Sequence, residues 1–259
     1  MRGAFLEDLT WPEAGARIAA GAVVVLPVGA AAKEHGPHLP LRTDYLVARE
    51  LGRRVAEALP VLVAPVVSFG YYPAFVHYPG SQHLRAETFM ALLTDILAGF
   101  VGQGARRLAV INTGVSTEAP LRIVARDFYA THGVRVAVAD LATLGRAIKP
   151  RLEQKLGGHA DELETSLVLA IEPGAVRMER AEPDYGHLAG APASVFYQPV
   201  VFGSDPGSGP DWSRTGARGD PSLATRETGE VALQEITREL VDGLVALHPD
   251  LRSPRSGAA

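Results

Sequence analysis

The sequence predicts an α/β fold, a three-layer sandwich built on a largely parallel central sheet. Three observations carry that expectation. Aliphatic, β-branched runs recur along the first 140 residues, they alternate with helical stretches of ten or more residues, and each run ends in a loop rich in Gly, Pro or hydroxyl residues. The first run, A-V-V-V-L-P-V at 22–28, is apolar throughout, as a strand covered on both faces must be. The segment 45–59 then repeats apolar residues at helical spacing, with Thr43 placed as its N-cap and Asp44 in its first turn. A second buried strand, V-L-V-A-P-V-V at 61–67, leads into an aromatic, Gly-containing loop, S-F-G-Y-Y-P-A-F-V-H-Y-P-G-S. Residues 86–102 predict an amphipathic helix, R-R-L-A-V-I-N a third strand ending at Asn112, 118–131 a helix, and V-R-V-A-V-A-D-L a fourth strand. Beyond 150, G-G-H-A opens into D-E-L-E-T-S-L-V-L-A-I, a helix from about Asp161 whose acidic first turn suits the positive end of its dipole. Residues 181–222 are too broken by Pro, Gly, Ser and Asp for a long element and read as an ordered excursion or a subunit contact. A long amphipathic helix beginning near Thr225 follows, then a frayed tail at 252–259. The whole chain, 1–259, reads as one domain without internal repeats.

Composition narrows the function. With 259 residues and 47% hydrophobic content the chain buries a full core. A net charge of -4 and scattered basic residues give no face for nucleic acid. The absence of cysteine excludes disulfides, thiolate metal sites and a cysteine nucleophile. The N-terminal M-R-G-A-F-L-E-D-L-T-W-P-E lacks the apolar core of a signal peptide, and no run approaches the roughly 18 apolar residues that span a bilayer. The expectation is a cytoplasmic protein with a small-molecule substrate and neither nucleic acid nor membrane as partner.

Chemistry concentrates after the first strand. There E-H-G-P-H-L-P-L-R-T-D places Glu34, His35, His38 and Asp44 in one short loop. In open α/β sheets ligands bind beyond the carboxyl ends of the strands, which is where this loop lies. Imidazole and carboxylate together suit zinc, manganese or iron better than calcium or magnesium. A turn histidine beside a helix-capping aspartate would look the same from spacing alone. Pro37 limits how far His35 and His38 can converge, so His38 reads as a supporting residue. The aromatic loop, with Tyr71, Tyr72, Phe75, His77 and Tyr78, reads as a pocket wall or subunit contact. His83, His132, His187 and His248 have no supporting pattern. The Gly102/Gly104 pair ends a helix instead of opening one, so no dinucleotide fingerprint is present.

Read in order, L-P-V-G with E-H-G-P-H-L-P-L-R-T-D, then Y-P-G-S, then H-A-D-E-L-E-T-S from His159, then G-D-P-S-L-A-T from Gly219, the chain resembles the creatininase (creatinine amidohydrolase) family. The resemblance implies an α/β homo-oligomer, often a hexamer, that binds one or two divalent metals and hydrolyses C–N bonds of cyclic amides or related small molecules. It implies His35 and Asp44 as metal ligands, Asp44 able to bridge two ions, and His159 as the residue that moves a proton between water and the leaving nitrogen; Glu164 is read as a catalytic partner beside it. Two departures stand out. The family places its ligand carboxylate two residues before the loop histidine, where this chain has Lys33, and Glu34 must swing in to replace it. The family's N-G-H after the third strand, which supplies another ligand histidine, reads N-T-G-V-S-T here, with Gly114 and Ser116 at ligand positions and hydroxyls on Thr113 and Thr117. A two-metal centre of the family kind is therefore not expected. The reading is a hydrolase with a single zinc, manganese or iron ion on Glu34, His35 and Asp44, with His159 and Glu164 as further contributors from across the cleft. The alternative is a divergent member without a hydrolytic metal, acting as a binding or assembly protein or as a metal-free biosynthetic enzyme.

Overall fold

The computed structural model describes residues 2–185, 199, 200, 202, 203, 205 and 211–252. Five parallel strands form one sheet: β1 (Ala4–Phe5), β2 (Val24–Val28), β3 (Leu62–Val63), β4 (Leu108–Asn112) and β5 (Val136–Asp140), in the order β1-β3-β2-β4-β5. Helices α1 (Trp11–Ala19), α2 (Thr43–Ala58), α3 (Ala86–Gly102), α4 (Glu118–His132), α5 (Glu162–Ile171) and α6 (Arg226–Leu247) flank it.

The side-chain alternation of β2 divides the core into two layers. Val23 and Val25 pack with Val47, Leu51 and Val55 of α2, Leu167 of α5 and Leu233 and Ile236 of α6. Val24, Leu26 and Val28 face the other way, against Phe89, Leu93 and Leu97 of α3 and Leu121, Val124 and Phe128 of α4. Both faces are covered, which is why the strand is apolar at every position. The chain leaves β2 for β3 on one side and later returns to β4 on the other, so the sheet has its topological switch point at the carboxyl ends of β2 and β4.

Several expectations change in detail. The strand expected at 61–67 pairs only at Leu62–Val63, with an isolated bridge at Val67, because Pro65 has no N–H to give a ladder. The edge strand β1 and helix α1 were not legible, the first because two residues carry no periodicity. Thr43 is the first helical residue and not the cap; Arg42 holds the cap position and the Thr43 hydroxyl donates to the Pro40 carbonyl. In the 181–222 excursion the described residues make short bridges, Asp184 with Gly219 and Gly203 with Trp212. His187 and the tail beyond residue 252 lie outside the described residues.

Candidate active site

The loop after β2 is pressed onto the start of α2. A Cβ at Gly29 would stand 2.3 Å from the Asp44 carbonyl and 2.7 Å from the Ala48 Cβ, so only glycine lets the helix come this close. Asp44, in the first turn of α2, is thereby held at the strand end, where it is 3% exposed. Lys33 turns inward to meet it. Its Nζ lies 2.7 Å from Asp44 Oδ2 and 5.1 Å from the centre of the Phe75 ring, and the lysine itself is 5% exposed. Burial alone would raise the Asp44 pKa, but the charges of Lys33 and His35 hold it well below the ordinary carboxylate value.

His35 is fully buried between two acceptors. Its Nδ1 is 2.9 Å from the Lys33 carbonyl and its Nε2 is 3.0 Å from Asp44 Oδ1. Both partners are acceptors and a neutral imidazole carries one N–H, so only one of the two contacts can be a hydrogen bond donated by the neutral ring. Glu34 turns the other way. Its carboxylate accepts from the Gly36 N–H and reaches His159 Nε2 at 3.1 Å, while its carbonyl accepts from the same nitrogen at 2.9 Å. Gly216, at φ +80°, makes room for it, since a Cβ there would stand 2.1 Å from Glu34 Oε1. Burial alone would raise the Glu34 pKa, and the nearby imidazoles and the Gly36 N–H lower it below the usual value.

His159 comes from the turn before α5. It is buried against Phe75, ring centres 4.3 Å apart, and lies 4.8 Å from the His35 ring. Burial pushes its pKa down, and the charges of Glu34 and Glu164 with the Glu34 hydrogen bond reverse this, so it stands above the ordinary value. Its Nδ1 faces Glu164 Oε2 at 3.7 Å. The turn is strained. Ala160 adopts φ +47°, and its N–H donates to Glu164 Oε2 at 2.6 Å. Asp161 caps α5 through the Glu164 N–H, as the acidic start of that helix suggested.

The expected ligand trio is thus divided. Asp44 is engaged by Lys33 and His35, Glu34 by His159 and Gly36, and the donors that approach one another are His35, His159 and Glu164, whose ligand atoms lie within 4.8 Å. His38 is buried, 2.8 Å from the Thr165 hydroxyl through Nε2, and its Nδ1 has no partner among the described residues. Phe75 of the aromatic loop is a wall of the site, as expected of that loop. The loop after β4 contributes no ligand. Thr113 donates to the Val28 and Asp44 carbonyls, and Asn112, Gly114 and Thr117 close a hydrogen-bonded knot among themselves. The hydroxyls of Thr113 and Thr117 are thus engaged by neighbouring carbonyl oxygens.

The sequence model of the creatininase family, described as creatinine amidohydrolase, matches residues 7–244. The chain belongs to the creatininase family. Among characterised creatininase relatives it is 30% identical to a creatinine amidohydrolase of Pseudomonas putida, over 94% of this chain and 96% of that protein. It is 27% identical to a 3-dehydro-scyllo-inosose hydrolase of Thermotoga maritima (96% and 84%) and 31% identical to a mycofactocin precursor peptide peptidase of Mycobacterium tuberculosis (80% and 78%). A creatinine amidohydrolase crystal structure matches with TM-score 0.80 at 31% identity, covering 96% of this chain and 99% of that one. A mutant creatininase of Zn-Zn type matches equally in fold, at 30% identity over 95% and 99%. The α/β sandwich with its parallel sheet is therefore the creatininase fold.

The creatininase donor set is tested by this geometry. Two ions as in the Zn-Zn structure do not fit: Lys33 already neutralises Asp44, and Gly114 and Ser116 bring no strong donors. One ion does fit. His35 fixes Nδ1 on a backbone carbonyl and His159 fixes Nε2 on Glu34, the outer-shell bonds that orient ligating imidazoles; His159 keeps Nδ1 for a metal, and His35 would exchange its Nε2 contact with Asp44 for one. Two imidazoles and one carboxylate with an open position are a common catalytic zinc set.

Proposed function

We propose that this protein is a hydrolase of the C–N bond of a small amide, with a single zinc, manganese or iron ion held by His35, His159 and Glu164. The observation that carries the reading is the pair of imidazoles, each tied by one nitrogen to a fixed acceptor, beside a carboxylate within ligand range. Charge supports one ion and not two. Three carboxylates, Glu34, Asp44 and Glu164, face one ammonium, and the remaining two negative charges match a single divalent ion. A second ion would leave the buried cleft positively charged.

When bound, the ion supplies Lewis acidity toward a carbonyl and lowers the pKa of water. Hydrolysis then needs a group to take the proton of the attacking water and return it to the departing nitrogen. Glu34 does this: it is ionised, anchored on His159 and Gly36, and borders a cavity of about 540 Å³ beside Pro37 and Tyr78. Lys33 keeps Asp44 charged and in place, and Phe75 covers the His159 ring. In this reading His35 keeps its expected role, His159 and Glu164 serve as ligands, and Glu34 moves the proton. The test is metal analysis of protein purified without chelator, with turnover measured on creatinine and short peptides, the substrate types that the relatives' names supply. About one ion per chain and loss of turnover in His35→Ala are expected. No ion after saturation with all three metals, and no turnover, would overturn the reading.

A second reading is favoured by the Lys33–Asp44 pair and by Gly114 and Ser116: a metal-free member that binds, assembles or serves biosynthesis. There the proton that Glu34 and Glu164 favour on His159 replaces part of the ion's charge. The same metal analysis separates the two.

A further inference from the structure

A second cavity, of about 510 Å³, opens on the far side of the site and has Glu164 in its wall. Leu141, Leu144, Leu152 and Leu163 line it, and Lys149 and Lys155 stand exposed at its edge. The acids that border it are already engaged: Asp161 with the Gly158 and Glu164 N–H groups and Gln154, Glu164 with the Ala160 N–H. Among the described residues neither lysine has an ion-pair partner. The strap 146–155 that carries them holds four cations, Arg146, Lys149, Arg151 and Lys155, against one acid, Glu153. An apolar body with a negative end fits this arrangement. Positive side chains over low-dielectric walls raise the local concentration of anions.

We propose that this cavity, which meets the ion ligands at Glu164, seats the body of the substrate while its amide lies between the imidazoles and Glu34, and that Lys149 and Lys155 select amides bearing a carboxylate on an aliphatic body. The inference rests on the hydrolase reading for its word substrate, but binding is measured separately from turnover. N-acetyl-leucine carries the three features together: an amide, a branched aliphatic chain and a carboxylate. N-isopentylacetamide is its neutral counterpart without the carboxylate. Isothermal titration of both into the intact protein is expected to give a Kd about tenfold lower for the anion, a ratio that falls as salt is raised. In the Lys149→Ala/Lys155→Ala double variant the two Kd values converge, whereas Leu152→Asn weakens both ligands alike. Equal affinities in the wild type, no binding of either, or a preference unchanged in the double variant would overturn the proposal. Selective binding without any turnover would leave the recognition site standing and remove the hydrolase reading instead.

Discussion

The two sides of the cleft have been built on opposite electrostatic plans. At the strand ends, between the loops after β2 and β4, the positive charge is covalently attached: Lys33 sits on Asp44, and Gly114 with its hydrogen-bonded neighbours offers no ligand. At the start of α5, Glu34 and Glu164 face His159 with no lysine in ion-pair contact among the described residues, and further positive charge would arrive as protons or as an ion. A cation site can thus be closed at one end and kept at the other within about two side-chain lengths.

Breaking the closed side should have the largest effect. Lys33→Met leaves a buried carboxylate without its ammonium and is expected to cost about 3 to 5 kcal/mol in urea unfolding. A loss below about 1 kcal/mol would show that Asp44 does not depend on Lys33. Lys33→Glu sharpens the contrast: its stability should fall in chelator and recover when zinc or manganese is added, while wild-type stability responds less.

His38 gives the next effect, and its sign follows from linkage. Burial, the largest influence, brings its pKa down to about 4, from about 6.5 when unfolded. Between those values the unfolded chain binds the extra proton, so stability is full above pH 6.5 and falls as pH drops toward 4, by about 3 kcal/mol. His38→Gln should flatten that stretch of the stability profile measured by urea unfolding, and an unchanged slope would refute the assignment. Smallest is Phe75→Leu, which removes the ring over Lys33 and His159 for about 1 kcal/mol while leaving metal content unchanged.

Much of the fold was legible because its signals are periodic. The helices at 86–102 and 118–131 and the strand ending at Asn112 stand within a residue of expectation, each with an apolar face long enough to specify its partner layer. β1 was not, since Ala4 and Phe5 are held only by pairing with β3. In the site, the β2 loop and His159 could be found from residue type and order. The direction of each side chain could not. Which of Lys33 and Glu34 faced Asp44 was set by the backbone path of the loop, and the room for Glu34 came from Gly216, 182 residues away in sequence and without any motif of its own. That His159 and Glu164 stand across the cleft from His35 was an expectation of motif order; their distances come from packing α5 beside α2.

The most direct measurement is a crystal structure of metal-saturated protein with anomalous scattering at the absorption edge of each metal. One ion is expected, bound to His35, His159 and Glu164, with the Lys33 ammonium still on Asp44. Two ions bridged by Asp44 with Lys33 displaced, or no ion in the cleft at all, would contradict the account.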